Sequence, residues 1–177
     1  SIGIASSGGA GKVTAEWMIN GYMNEDLYSL DIKRFQKFHS SKKFIMNRVT
    51  ETLGDLYGMH WPYKQHKTSR DQRLLPYHEE LKKAGACFGQ SGEYERPMWY
   101  SLNGAESEYK YSFNYQNWYP SAKYESKNTV KNVGLFELSP FSKYEIKGEK
   151  AYDELQKLCT ANIKNEIGKC TYTHMLN

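Results

Sequence analysis

The sequence lacks the features that mark membrane-spanning and secreted proteins. No apolar run approaches the ~20 residues that a membrane-spanning helix needs. The first residues, SIGIASSGG, have neither the basic region nor the long apolar region of a signal peptide. The three cysteines, Cys87, Cys159 and Cys170, are odd in number and show no C-x-x-C spacing, so we expect reduced thiols. These absences predict a protein of the cytoplasm, or of the mitochondrial matrix in a eukaryote, with no membrane partner.

Sequence motifs of several catalytic classes are also absent. None of the five histidines lies in an H-E-x-x-H pattern, so we predict no metal site. No G-x-S-x-G turn and no local signature of a nucleophilic cysteine occurs, which leaves acyl transfer without support. The dinucleotide fingerprint G-x-G-x-x-G is missing as well. If the protein uses FAD or NAD, residues outside this chain must therefore bind the pyrophosphate.

The excess of positive charge is small. The 24 basic and 20 acidic residues give a net charge of +4, and the lysines are interspersed with glutamates. This pattern indicates solvated surface rather than a nucleic-acid-binding stripe, so we expect no nucleic-acid partner. Aromatic residues make up 15% of the 177 residues. At this length the chain is expected to be globular, with one domain or two small ones.

Hydrophobic periodicity and turn residues predict an α+β fold. Asp31 is expected to cap the second of five helices, and Gly21, Gly58 and Gly85 are expected to end the first three. A change in character near residues 76–90 predicts a boundary between a helical part and an α+β part. The predicted helices are 12–20, 33–57, 76–84, 121–132 and 149–158, and the predicted strands are short ones after Gly85, then 133–138, 143–148 and 169–177.

The glycine-rich stretch SSGGAGKVTAEW, residues 6–17, departs from the phosphate-binding loop G-x-x-x-x-G-K-[ST]. That pattern needs a glycine and a hydroxyl residue where this chain has Ser6 and Val13. We predict instead a glycine turn at residues 8–11 that opens a helix. The N–H groups of such a helix start donate to an anionic or carbonyl oxygen of a ligand. A tight turn where two backbones approach is the simpler interpretation.

Three aromatic stretches allow two interpretations. They are HWPY (60–63), ERPMWY (95–100) and QNWYP (116–120). Their Tyr and Trp faces would stack on a flat heterocycle, with Arg96 or Glu95 holding its polar edge. The same residues would equally form a seam between domains.

The order of these segments resembles one known family. GIASSGGAGKVTAEWMINGY is similar to the last segment of the flavin domain in the dimethylglycine and sarcosine dehydrogenase family. LYSLDIKRF and SRDQRLLPYHEELKKAGACFG resemble the central domain that follows there. ERPMWY, YQNWYP, VGLFELSPFSKYEIKG and YTHMLN resemble the start of its folate-binding domain, which the glycine-cleavage aminomethyltransferase shares. The resemblance implies the end of an FAD-binding domain at 1–22, a helical central domain at 23–76 and the N-terminal part of an aminomethyltransferase-like folate-binding domain at 77–177.

The family's activity implies both cofactors and site residues. An N-methyl amino acid of the dimethylglycine or sarcosine type would be oxidised with FAD, and its one-carbon unit passed to tetrahydrofolate. On the flavin side, the resemblance implies Gly8, Gly9, Ala10 and Gly11 as a turn whose N–H groups lie near the pyrimidine carbonyl. On the folate side, it implies Leu138 and Tyr172 as pocket residues, although each is equally a candidate for the core.

The catalytic residues that the family implies fall outside the chain. The flavin-attachment histidine would precede Ser1, and the catalytic aspartate of the folate domain would follow Asn177. In LFELS, Glu137 and Leu138 stand where the family usually has Asp and often Met. We therefore expect a segment of a longer polypeptide, inactive alone and marginally stable or prone to associate because its strand edges would be unpaired. Two alternatives remain: a folate-dependent aminomethyltransferase-like protein without a redox role, and a non-catalytic regulatory subunit of the same architecture.

Overall fold

A computed structural model describes residues 3–23 and 25–176 of the chain. Among these residues, no helix is both long enough and apolar enough to cross a membrane. The chain divides into two compact units, one ending at Glu137 and the other beginning at Leu138. The elements are helix α1 (Gly3–Asn20), 3-10 turns at Tyr28–Leu30, Ile32–Arg34 and Lys37–Ser40, helices α2 (Lys42–Asp55) and α3 (His78–Lys83), strands β1 (Ala86–Ser91) and β2 (Tyr94–Tyr100), and helices α4 (Tyr119–Lys131) and α5 (Ala151–Leu158). This mixture of helices and one small sheet confirms the α+β class.

Helix α1 begins at Gly3, ahead of the glycine-rich stretch, so the predicted turn at residues 8–11 is wrong. Gly8, Gly9 and Gly11 lie inside the helix, and none of them has a positive φ. Glycine adopts helical angles as well as turn angles, at a cost of about 1 kcal/mol relative to alanine. Gly21 ends the helix as predicted, with a φ of +77°.

The predicted helix 33–57 is wrong in its first third. Short 3-10 turns precede Ser41, whose side chain caps α2. Asp31 accepts a hydrogen bond from the Lys33 N–H at 2.8 Å, which confirms its role as a cap, although of a 3-10 turn. The Nδ1 atom of His39 accepts from the Gln36 N–H, also at 2.8 Å. Such bonds from side chains to nearby backbone compete with a continuous helix and end each turn early.

Strands β1 and β2 form an antiparallel hairpin, which confirms the short strands predicted after Gly85. Ser91 pairs with Tyr94, so the loop contains only Gly92 and Glu93. Both loop residues have positive φ, 58° and 66°, and this backbone matches the right-handed twist of the two strands. Gly85 also has a positive φ, +87°, just after the C-cap of α3.

The core of the first unit surrounds the hairpin. Helix α4, which confirms the helix predicted at 121–132, is attached to β2 because the Glu125 carboxylate accepts from the Tyr100 N–H at 2.8 Å. The segments on the two sides of residue 76 pack together within this unit, and the domain division at 76/77 stays a prediction. The buried apolar residues described are Phe44, Leu75, Ala86, Cys87 and Trp99.

The second unit contains helix α5, which confirms the helix predicted at 149–158. The strand predicted at 143–148 does not form, and neither does the one predicted at 133–138. Of the strand predicted at 169–177, Met175 forms an isolated bridge with Cys159, and Asn177 lies outside the described residues. A strand needs a neighbour for its N–H and C=O groups. The described part of the chain supplies none to these segments.

Candidate functional site

The segment between α2 and α3, residues 56–77, is here called the connector, and its aromatic side chains pack against residues that precede α4. The rings of Trp61 and Phe113 lie 4.7 Å apart. Tyr63 meets Trp118 edge to face at 5.6 Å. The HWPY and QNWYP stretches are therefore brought together within the first unit, and a seam between domains stays a prediction.

A buried ion pair joins the connector to β2. Glu95 is fully buried, and Nε of Arg70 donates to its two carboxylate oxygens at 2.8 and 3.1 Å. Nη2 of Arg70 donates to the same carboxylate, and the guanidinium also reaches the carbonyls of His66 and Phe88, each at 3.1 Å. The Asp71 N–H adds a further bond to Glu95 at 3.0 Å. Glu95 is therefore bonded to groups inside the protein and is inaccessible to a ligand, so the prediction that it holds the polar edge of a ligand is wrong.

The electrostatics of this pair are those of a permanent charge pair. Burial raises the pKa of Glu95, but the hydrogen bonds from Arg70 and from the Asp71 N–H outweigh burial and hold the pKa below its ordinary value. The hydrogen bond to Glu95 raises the pKa of Arg70. Both groups are therefore ionised at neutral pH, and their role is to fix the connector on the hairpin.

A cleft of about 830 Å³ opens beside the ion pair, lined in part by Arg70, Cys87, Tyr109 and Tyr111. The two tyrosine rings stack at 5.7 Å with an angle of 8° between their planes. Burial raises the pKa of Cys87 to about 11 and that of Tyr109 to about 12. Both groups keep their protons at neutral pH, so Cys87 is not a thiolate nucleophile. The cleft is suited to binding by stacking and hydrogen bonds.

Helix α2 and the connector bring Glu51, Asp55 and His66 together. One ligand atom from each residue lies within 4.8 Å of the other two. The N–H groups of Lys67 and Thr68 donate to Glu51 at 2.6 and 2.8 Å, and the Thr68 hydroxyl donates to it as well. Burial raises the pKa of Glu51, but these hydrogen bonds prevail and lower it to about 2. Glu51 therefore stays ionised at any pH near neutrality.

The four residues predicted for the flavin side, Gly8 to Gly11, lie on an exposed part of α1. A Cβ atom added at Gly8, Gly9 or Gly11 would meet nothing within 4 Å. Because these residues lie inside a helix, their N–H groups bond within it, and the turn-like donation predicted for them does not occur. A position beside a flavin stays a prediction for this stretch.

The two residues predicted for the folate side, Leu138 and Tyr172, both belong to the second unit. Their exposed fractions are 54% and 89%, so neither is a core residue in the described structure. The ring of Tyr172 meets His174 edge to face at 5.7 Å. Contact with folate stays a prediction for both residues.

Sequence reasoning missed the Arg70–Glu95 pair and the group formed by Glu51, Asp55 and His66. The ion-pair partners are 25 residues apart, a separation that no local pattern reports. For the second group, one signal was available: Glu51 and Asp55 are four residues apart, which places them on one face of a helix. Only the folded connector shows that His66 joins them.

Two protein-family models match the chain in succession. Residues 20–74 match the FAD dependent oxidoreductase central domain. Residues 77–177, more than half of the chain, match the GCVT N-terminal domain.

Curated proteins match the chain over nearly all of its length. It is 40% identical over its whole length to a 4-methylaminobutanoate oxidase (formaldehyde-forming) of Paenarthrobacter nicotinovorans, of which it covers 22%. It is 31% identical, again over its whole length, to the mitochondrial pyruvate dehydrogenase phosphatase regulatory subunit of Mus musculus, of which it covers 21%. Over 98% of its length it is 28% identical to the mitochondrial dimethylglycine dehydrogenase of Rattus norvegicus, of which it covers 20%. The chain thus spans about a fifth of the length of these relatives. With both domain matches adjacent and in the expected order, the chain belongs to the dimethylglycine and sarcosine dehydrogenase family.

Proposed function

We propose that the chain is a segment of an FAD-dependent enzyme that oxidatively demethylates an N-methyl amino acid and passes the one-carbon unit to tetrahydrofolate. The observation that carries this proposal is the succession of the two domain matches in one chain. Two of the relatives are named for substrates that are N-methylated amino acids, 4-methylaminobutanoate and dimethylglycine. The substrate of this protein is therefore a small N-methyl amine with a carboxylate, and its other partner is the remainder of the polypeptide.

We assign residues 1–22 to the end of the flavin domain, with the bare surface of α1 at Gly8 and Gly11 turned toward the flavin or its domain. The absence of side chains there lets another surface approach the helix backbone closely. Replacing Gly8 or Gly11 by Leu in the full-length protein should lower its flavin content. Val13→Leu is the matched control, since position 13 lies on the opposite face of the helix at 100° per residue. Equal flavin content in all these variants would reject the assignment.

We assign the folate contacts in this chain to Leu138 and Tyr172. Both side chains are exposed, so they are available to a ligand. Tyr172 would stack on the pterin ring and Leu138 would contact it through its apolar side chain. Tyr172→Phe keeps the ring and should keep tetrahydrofolate affinity, whereas Tyr172→Ala should weaken it about tenfold, equivalent to roughly 1.4 kcal/mol. Equal binding by both variants would reject the role of Tyr172.

The redox part of the proposal is tested on the full-length protein that contains this chain. Its visible spectrum and intact mass should show bound flavin. Under anaerobic conditions, one of dimethylglycine, sarcosine or 4-methylaminobutanoate should bleach the flavin band. In air, with O2 as the electron acceptor, substrate turnover without tetrahydrofolate should release formaldehyde. With tetrahydrofolate present, 5,10-methylenetetrahydrofolate should form faster than it does from the same amount of free formaldehyde and tetrahydrofolate without the protein. Flavin reduction with no effect of tetrahydrofolate would leave an oxidase and reject the transfer step.

A non-catalytic regulatory subunit is the second candidate function. It is favoured by the 31% identity, over the whole chain, with the regulatory subunit of pyruvate dehydrogenase phosphatase. A full-length protein that contains no flavin, or whose flavin no N-methyl amine reduces, would favour this candidate.

The compartment proposed is one in which thiols stay reduced, the cytoplasm or, in a eukaryote, the mitochondrial matrix. The three described cysteines, Cys87, Cys159 and Cys170, are all unpaired, as this proposal requires.

A further inference from the structure

The proposed demethylation makes no use of the three titratable side chains that meet between α2 and the connector, Glu51, Asp55 and His66. Glu51 and Asp55 project from the same face of α2, one helical turn apart. His66 approaches them from the connector, with its Nδ1 3.9 Å from Glu51 Oε1 and 3.8 Å from Asp55 Oδ2.

The His66 nitrogen is the unusual member of this group. Its Nδ1 is inaccessible to solvent and has no hydrogen-bond partner, whereas the side chain as a whole is 39% exposed. The two carboxylate oxygens nearest to it lie beyond hydrogen-bond distance. A buried nitrogen that faces two carboxylates without bonding either leaves a polar group unsatisfied, and this carries a cost. An ion placed between the three atoms, with bonds of about 2.0–2.2 Å, would supply the partner that Nδ1 lacks.

The surroundings hold the ligand atoms in position. Glu51 is fixed by the N–H groups of Lys67 and Thr68, which directly follow His66 in the chain. The same contacts therefore fix His66 next to the helix. Lys64 bonds Oδ1 of Asp55, so that the other oxygen, Oδ2, is the one turned toward His66.

The structure assigns to Glu51, Asp55 and His66 a binding site for one divalent transition-metal ion, with Zn²⁺ as the best match. Two carboxylate oxygens and one imidazole nitrogen are a mixed donor set that suits Zn²⁺ and its neighbours, whereas Ca²⁺ and Mg²⁺ prefer oxygen alone. The two carboxylates and the Lys64 ammonium together carry a net charge of −1, which favours a cation.

One further coordination position is open to the outside. A cleft of about 320 Å³ reaches Asp55 and His66 and is also lined by His60 and Trp61. A water molecule in this cleft completes a four-coordinate site. The competing arrangement is a protonated His66 that pairs with the two carboxylates and binds no metal.

The test is a calorimetric titration of the metal-free, full-length protein with ZnCl2. The wild type should bind one equivalent of Zn²⁺. His66→Ala and Asp55→Asn should bind none, or bind it at least about tenfold more weakly, because each variant removes one of three ligands. His174→Ala is the matched control: it removes a histidine from the second unit and should bind as the wild type does. If His66→Ala loses its native far-UV circular dichroism spectrum, His66→Gln replaces it in the comparison.

Equal Zn²⁺ stoichiometry and affinity in the wild type and the His66 variant would overturn the assignment in favour of the protonated ion pair. Substitution with Co²⁺ gives a second readout, because thiolate ligands add strong near-ultraviolet charge-transfer bands that carboxylates and imidazoles do not. Such bands in the Co²⁺-loaded wild type would place the ion on cysteine thiolates and would also overturn the assignment.

Discussion

Replacing Glu95 by Gln tests whether the ion pair with Arg70 holds the connector on the hairpin. The amide keeps the shape of the carboxylate but loses its charge, and it presents an NH2 donor where an oxygen had accepted hydrogen bonds. Arg70 would keep its positive charge with a side chain only 24% exposed. Removing one partner of a buried ion pair costs about 3–5 kcal/mol. Since Arg70 is partly exposed and the amide retains one acceptor, we expect a loss of about 3 kcal/mol in the free energy of unfolding.

Urea unfolding of the 177-residue chain, monitored by tryptophan fluorescence, measures this loss, because the four tryptophans of the chain all lie in the first unit. Glu106→Gln is the matched control: Glu106 pairs with Lys110 at 3.0 Å, but both side chains are exposed. It should change the free energy of unfolding by no more than about 0.5 kcal/mol. The double variant Arg70→Met/Glu95→Met should lose less than the sum of its two single variants, since no charge is then left unpaired. A Glu95→Gln protein as stable as the control, or an additive double variant, would refute this account of the pair.

Three further predictions concern acid stability, a backbone turn and thiol reactivity. Because folding lowers the pKa of Glu95, the ionised carboxylate contributes its full stabilisation above the unfolded pKa of about 4.3 and loses it as the pH falls through the folded pKa. The melting temperature should therefore decrease less steeply with falling pH for Glu95→Gln than for the wild type. Gly85→Ala should destabilise the fold by about 1–3 kcal/mol, since the φ of Gly85 is +87° and the new Cβ would lie 2.9 Å from a serine hydroxyl. Gly54→Ala is the control inside α2: its new Cβ would meet nothing within 4 Å, so it should stabilise the fold by about 0.5–1 kcal/mol in the same urea assay. In a titration with a thiol-reactive disulfide reagent at neutral pH, the exposed Cys170 should react quickly and the buried Cys87 only on unfolding; equal rates would contradict the burial and the raised pKa of Cys87.

The sequence predicted the features that short-range interactions determine. Gly21 and Gly85 end their helices with positive φ, and the helix predicted at 121–132 forms as α4, because these outcomes depend on residues within one or two turns. The strands at 133–138 and 143–148 failed for the opposite reason: alternating apolar residues predict a strand only if another strand lies beside it. The helix predicted from residue 33 failed because apolar spacing does not report the bonds that Asp31 and His39 make with nearby backbone.

The candidate sites were less predictable than the helices. Leu138 and Tyr172 came from family resemblance alone, and the structure adds only that both are exposed. The Arg70–Glu95 pair and the approach of His66 to α2 depend on how the connector folds back over the helix and the hairpin. Sequence spacing does not predict how the connector folds, because the residues that meet lie in different elements.

The position of the Arg70–Glu95 pair has a consequence for building hybrid proteins. The two family models meet between residues 74 and 77, which makes this junction the natural place to exchange segments between relatives. A crossover there would take the guanidinium from one parent and the carboxylate, with the Phe88 carbonyl, from the other. A crossover upstream of the connector keeps Arg70, its backbone partners and the hairpin from a single parent. Hybrids joined ahead of α2, before residue 42, also keep Glu51 and its partners Lys67 and Thr68 in one parent, so they should fold more often than hybrids joined at the boundary that the family models mark.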